Sequence, residues 1–239
     1  MSVVVVAGLV VAVATVVQRL TGMGFGIVAV PLLALVAPDV GILAILLVTV
    51  LVMAAVTWIE RDALDRPALL VASAASLPGI AVGTWLAAHL PLRATHLAIG
   101  AIVVAGSIIA LAGWRAPAGR ASLVAGALAA GVLTPVAALP GPPIALAYRP
   151  DDVRRMRTTL SAFFAFGAVV SVGALLVAGA TDAPGELLRA AALAPAVAVG
   201  LVVAIPLVRR MPAPTVRVAT LVLSLASGAA LFLRAAWAT

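Results

Sequence analysis

The 239-residue chain contains no cysteine and no lysine. The first absence removes disulfide staples and thiolate metal sites. The second leaves arginine to supply all fifteen basic residues. Charge of either sign is scarce, at 10% of residues, where a soluble domain carries about a quarter. The eight acidic residues (Asp39, Glu60, Asp62, Asp65, Asp151, Asp152, Asp182 and Glu186) all fall in connections or at the ends of apolar runs. No carboxylate therefore stands mid-run, where the proton relay or sodium ligand of an ion-coupled pump is expected. The sequence also lacks a hydrolase triad, a P-loop and a zinc-binding helix. No catalytic residue, metal or cofactor is expected.

What the chain has instead is apolar length. Hydrophobic residues make up 65% of it, and 40–59, 67–92, 94–114, 121–148, 158–181 and 190–208 contain no Asp, Glu, Lys or Arg. Runs of about 20 apolar residues span a hydrocarbon core of about 30 Å. They are continuous rather than alternating with period two, which excludes a membrane barrel. The chain reads as an all-α integral membrane protein with the lipid bilayer as its surroundings. A net charge of +7 does not point to nucleic acid, because the arginines sit in short connections where juxtamembrane cations belong. Residues 1–17 lack the basic start of a signal peptide and read as a retained first helix.

Gly, Pro and charge divide the chain into about ten helical segments, near 3–20, 24–37, 40–59, 67–90, 94–113, 121–139, 143–150, 158–181, 187–208 and 215–236. Segments two and seven are too short to be assigned as full spans. With ten segments, Arg19, Arg61, Arg66, Arg115, Arg120, Arg149, Arg154, Arg155, Arg157, Arg209, Arg210 and Arg217 fall on one side, and Arg93, Arg189 and Arg234 on the other. Merging segments one with two and six with seven destroys that bias. The positive-inside rule thus favours ten segments, Arg-rich loops in the cytoplasm and both termini outside it.

A weak internal repeat accompanies this layout. Pro31-Leu-Leu-Ala-Leu-Val-Ala-Pro38-Asp39 parallels Pro143-Ile-Ala-Leu-Ala-Tyr-Arg-Pro150-Asp151, and Pro78-Gly-Ile-Ala-Val-Gly83 parallels Pro195-Ala-Val-Ala-Val-Gly200. A single transporter domain, 1–239, would then comprise halves 1–113 and 114–239. Each half holds five segments, an odd number, so the second is inverted relative to the first, a recurring plan of secondary transporters.

In each half a Gly/Pro-rich break joins the first two segments: Gln18-Arg-Leu-Thr-Gly-Met-Gly-Phe-Gly26, and Thr134-Pro-Val-Ala-Ala-Leu-Pro-Gly-Pro-Pro143. Irregular backbone at membrane depth needs protein or water as its partner. Helix starts at such breaks attract anions. In an inverted pair the breaks enter from opposite faces and converge, as in a transporter's substrate site; the plainer alternative is a pair of tight hairpin turns. Candidate binding residues are Gln18, Arg19, Thr21, Gly22, Gly24, Phe25, Thr134, Gly141, Pro142 and Arg157. Arg19 reads either as a cation facing a substrate anion or as a helix-end residue snorkelling to the interface. Thr21 and Thr134 either bind oxygens or bond back to their own helix. Arg157 precedes the polar start Thr158-Thr159 of a span, whereas Arg154 and Arg155 read as topology anchors. His89 and His96 read as helix-end residues, and Gly79 with Gly83 as a helix-packing pair.

The break Gln18–Gly26 with Val30-Pro-Leu-Leu33, and Gly141-Pro-Pro143 with Arg157-Thr-Thr-Leu-Ser-Ala-Phe-Phe164, resemble the two motifs of the TauE/SafE family of sulfite and sulfonate exporters. The resemblance runs along essentially the whole chain. One departure lies at 134–139, where the family carries glycines and this chain has Pro135 and Ala137-Ala138. The resemblance implies transport of sulfite, an organosulfonate or another small anion across the bacterial plasma membrane. A potential negative inside drives a monovalent anion outward by about 2.3 kcal/mol per 100 mV, so export can run uncoupled, in keeping with the missing mid-run carboxylates. Other readings are transport of a metal cation or neutral metabolite, an intramembrane enzyme acting on lipid phosphates around Arg149–Arg157, and an assembly subunit.

Overall fold

A computed structural model describes residues 3–114, 117, 119–179, 182–210 and 213–237, without the side chains of 209 and 213–217. Among these residues there are ten α-helices and no strand: α1 (Val3–Thr21), α2 (Phe25–Val36), α3 (Ile42–Ile59), α4 (Arg66–His89), α5 (Leu92–Leu111), α6 (Arg120–Ala137), α7 (Gly141–Ala147), α8 (Val153–Val177), α9 (Ala183–Arg210) and α10 (Ala213–Trp237). A 3-10 turn, Arg61–Ala63, joins α3 to α4. All helices but α2 and α7 are long and apolar enough to cross a membrane, eight in total. At 1.5 Å per residue, α2 reaches about 18 Å and α7 about 10 Å, short of the roughly 30 Å core. The ten-segment division matches this chain trace, with the two expected short segments as the two short helices.

Local chemistry sets the boundaries. Asp65 caps α4 by accepting from Ala68 N–H at 3.1 Å, and Pro67 stands in the first turn, where its missing N–H costs nothing. Asp152 accepts from Arg154 N–H at 2.8 Å. That cap starts α8 at Val153, five residues before the expected 158, so Arg154, Arg155 and Arg157 lie on the helix rather than in a loop. The expected end of that segment at 181, and Arg115, lie outside the described residues, as do the side chains of Arg209 and Arg217.

The packing has a two-fold pattern. Helix α4 packs along α6 and α1 along α9, while α3 pairs with α8 and α5 with α10. Exchanging α1–α5 with α6–α10 maps the first two pairs onto each other and the last two onto themselves. Small residues make the close approaches. A Cβ on Gly79 would strike the Leu128 carbonyl, and one on Gly200 would lie 2.6 Å from the Ala12 carbonyl, the packing use expected of such glycines.

Chain direction and contacts sort the loops into two ends. At one end Arg149 bonds to the Trp114 carbonyl, Arg154 to Asp62, and Tyr148 to Asp65. At the other, Arg93 reaches the carbonyls of Ala235 and Ala236, and Arg234 reaches that of Leu35. Arg189 joins this second end through Glu186, which bonds to the start of α3. The three minority arginines of the sequence thus share one end.

Helices α1 and α6 terminate alike. Gly22, just past α1, has φ +81° and donates to the Gln18 carbonyl at 2.7 Å. Ala138, just past α6, has φ 50° and donates to the Thr134 carbonyl at 2.8 Å, while Leu139 reaches back to Leu133. Both are left-handed caps that satisfy terminal carbonyls, a conformation that suits glycine and costs other residues about 1–2 kcal/mol. The alanine-for-glycine departure at 138 therefore falls on a strained position. Ala138→Gly should be stabilising by about 0.5 kcal/mol, the strain relief less glycine's larger chain entropy, read as a small rise in melting temperature of the purified protein; a drop would contradict the assignment.

Candidate functional site

The two breaks meet. Gly26, at the start of α2, lies so close to the Ala138 carbonyl that an added Cβ would stand 2.6 Å from it, and Gly141, opening α7, sits against the Met23 carbonyl. From this shared point α2 runs to one end of the bundle and α7 to the other. A small cavity of about 10 Å³ opens there, lined by Gln18, Met23, Gly26, Ile27, Thr49, Met53, Ala138, Leu139, Pro140, Gly141 and Phe164. Such a space admits about one water.

Gln18 is the polar anchor of the junction. It is fully buried; its Oε1 accepts from Phe25 N–H at 3.1 Å, and its Nε2 donates to Ser161 Oγ on α8 at 3.3 Å. One side chain thereby satisfies the first amide of α2, which would otherwise be orphaned, and ties α1 to α8. Phe25 itself is buried. Gly22 has a second reason to be glycine, since a Cβ there would lie 2.8 Å from Arg157 Cα. Gly24 packs against Val17.

Other candidates resolve differently. Thr21 donates to the Val17 carbonyl at 2.9 Å, and Thr134 to the Ala130 carbonyl at 2.7 Å, so both bond back to their own helices. Pro142 faces Gly106 of α5, away from the cavity lining. Since α7 opens Gly-Pro-Pro, two of its first three residues have no N–H, and its start offers fewer amides than the sequence suggested.

The charged candidates form a cluster that sequence reasoning missed. Arg19 Nη1 donates to Glu60 Oε1 at 2.5 Å. Arg157 grips the same carboxylate as a fork, Nε to Oε2 at 2.8 Å and Nη2 to Oε1. Thr158 Oγ1 stands 3.3 Å from Oε2 and donates over the shorter distance of 2.9 Å to the Arg154 carbonyl one turn back. Arg19 is thus paired with a carboxylate in this structure. Glu60 follows directly after α3 and is only 5% exposed, which its place at a helix end did not betray. The signal available was Arg157 at the polar start of α8, a buried cation needing an anion. Burial alone would raise the Glu60 pKa, but the hydrogen bonds and charges of Arg157 and Arg19 outweigh it and hold the carboxyl below its ordinary 4.5. The cluster carries a net charge of +1; Arg19 follows Gln18 directly on α1, and Arg157 lies one turn before Ser161 on α8.

Nearby, Tyr148 donates to Asp65 Oδ2 at 3.0 Å; burial, then Asp65, push its pKa up to about 12, so it stays a neutral donor. The stretch 149–157, weighed as an enzyme centre, has Asp152 committed to the α8 cap and Arg154 to Asp62. Among the described residues, no group of three His, Asp or Glu could hold a metal ion. His89 bonds at the α4 end to the Trp85 carbonyl, as a helix-end residue.

Eight helices long and apolar enough to cross a membrane, with two short helices between them, make this a multi-span membrane protein. The family model described as Sulfite exporter TauE/SafE matches residues 7–231, and the chain belongs to that family. No curated protein and no solved structure matches it.

Because the Glu60 pKa is depressed in the fold, its stabilisation is present above the ordinary value of 4.5 and lost as pH falls through the lowered folded value. The melting temperature should fall as pH drops below about 4.5, and Glu60→Gln should remove part of that fall. An unchanged acid profile in the variant would show that the ion pairs add nothing to stability.

Proposed function

We propose that the chain exports a small oxyanion, sulfite or an organosulfonate, across the plasma membrane, and that the substrate passes between the two breaks. The observation that carries this reading is their convergence: Gly26 against Ala138 and Gly141 against Met23, around a cavity anchored by Gln18. A helix interruption common to both halves, with backbone groups turned toward one cavity, is the geometry of a transporter's central site. The net-positive Arg19–Glu60–Arg157 cluster, on the same two helices as the Gln18–Ser161 bond, supplies attraction for an anion.

The halves are inverted in this reading, supported by the exchange pattern of the packing and by the opposite courses of α2 and α7. The Arg-rich end faces the cytoplasm, with both termini outside. The small cavity is a closed passage, and loading requires α2 or α7 to swing about the left-handed residues Gly22 and Ala138, which end the preceding helices. The carboxylates of the described residues stay at helix ends, so the membrane potential drives the export of a monovalent anion. In proteoliposomes, flux of methanesulfonate should follow an imposed potential, reaching a gradient of roughly fifty-fold per 100 mV for a singly charged anion. Flux indifferent to the potential would contradict uncoupled export, and no flux of any small sulfonate or sulfite would overturn the anion reading.

A further inference from the structure

Three guanidinium donors converge on the two Glu60 oxygens, Arg19 Nη1 and Arg157 Nε and Nη2, with the Thr158 hydroxyl 3.3 Å from Oε2. Such a set of paired guanidinium donors matches any oxyanion that offers two oxygens. Two cations around one carboxylate leave the group a charge short of neutral, so the site remains attractive to a further anion. Glu60 is anchored at the junction of α3 with the 3-10 turn, whereas Arg19 sits on α1 and Arg157 on α8, the helices that frame the cavity. Along those helices the next contact inward is Gln18 with Ser161. The Arg157 backbone, in turn, packs on Gly22, the left-handed residue that begins the first break.

We propose that Arg19 and Arg157 form an oxyanion-loading site at the Arg-rich end of the passage, and that Glu60 is its resident internal occupant, displaced when a sulfite or sulfonate group enters. The inference rests on the anion-transport reading and deepens it. A carboxylate tethered in the same chain holds the site whenever substrate is absent and keeps the two arginines from standing unpaired in a buried place. It also competes with substrate, because a ligand sees only the fraction of molecules whose site is vacant, and its apparent Kd rises in inverse proportion to that fraction. The displaced carboxylate frees α1 and α8 from the α3 end, so loading is tied to loosening of the contact beside Gly22.

The test is the affinity of the purified full-length protein for methanesulfonate and for sulfite, measured by calorimetry. Glu60→Gln should lower the Kd for both by about tenfold or more, as expected if the carboxylate fills the site at least nine-tenths of the time. Arg157→Gln should lose that gain when combined with Glu60→Gln, a double variant that keeps the cluster's net charge at +1. Glu60→Asp, which keeps the charge but draws it back by one methylene, should tighten binding by a smaller factor and serves where the Gln variant does not fold. Unchanged or weaker binding in Glu60→Gln, or in Glu60→Asp where that is the readable variant, would overturn the proposal and make the ion pairs a structural tie. Wild-type protein that binds and transports neither anion would instead sink the transport reading itself.

Discussion

An interrupted helix inside a bilayer exposes amides and carbonyls that lipid cannot satisfy, and the arrangement of this protein follows from how those groups are covered. Each break shields the other: the Ala138 carbonyl lies on Gly26 and the Met23 carbonyl on Gly141. Gln18 takes the first amide of α2. The left-handed caps at Gly22 and Ala138 turn terminal carbonyls back into hydrogen bonds. What is left at the junction is a small, mostly apolar space between Met23, Met53 and Phe164, with Gln18 at its edge.

The surrounding helices hold that junction from both sides. Glycine-mediated contacts let α4 lie along α6 and α1 along α9, so the helices that carry the breaks are each clasped by a long partner from the other half. At the two ends of the bundle, buried carboxylates tie the halves together. Glu60 binds Arg157 at one end, and Glu186 accepts from the Gly41 and Ala44 amides at the other. Both ties join the stretch α1–α5 to the stretch α6–α10.

The helical layout was legible in the sequence because lipid imposes long charge-free runs, and because caps such as Asp65 and Asp152 and punctuation by Gly and Pro are local signals. The breaks were legible for the same reason. The partners of Arg19 and Arg157 were not. Glu60 lies 41 residues from Arg19 and 97 from Arg157, and nothing in its neighbours marks a residue beside a helix end as buried. The roles of Thr21 and Thr134 turned on side-chain rotamers, which sequence leaves open between a ligand and the preceding turn. The opening Gly-Pro-Pro of α7 was visible, yet its consequence, a helix start poor in amides, emerged only once the helix was seen to begin at Gly141.

Convergence of the two breaks on one anion path is the central claim, and the cysteine-free chain lends itself to a direct measurement. Met23→Cys with Gly141→Cys places one thiol on each break, and copper-catalysed oxidation in native membranes reports their approach. Methanesulfonate serves as the ligand, since sulfite itself cleaves disulfides. The cross-link should form, and methanesulfonate should slow it. No cross-link, or one whose rate ignores the anion, would contradict a shared site between the halves.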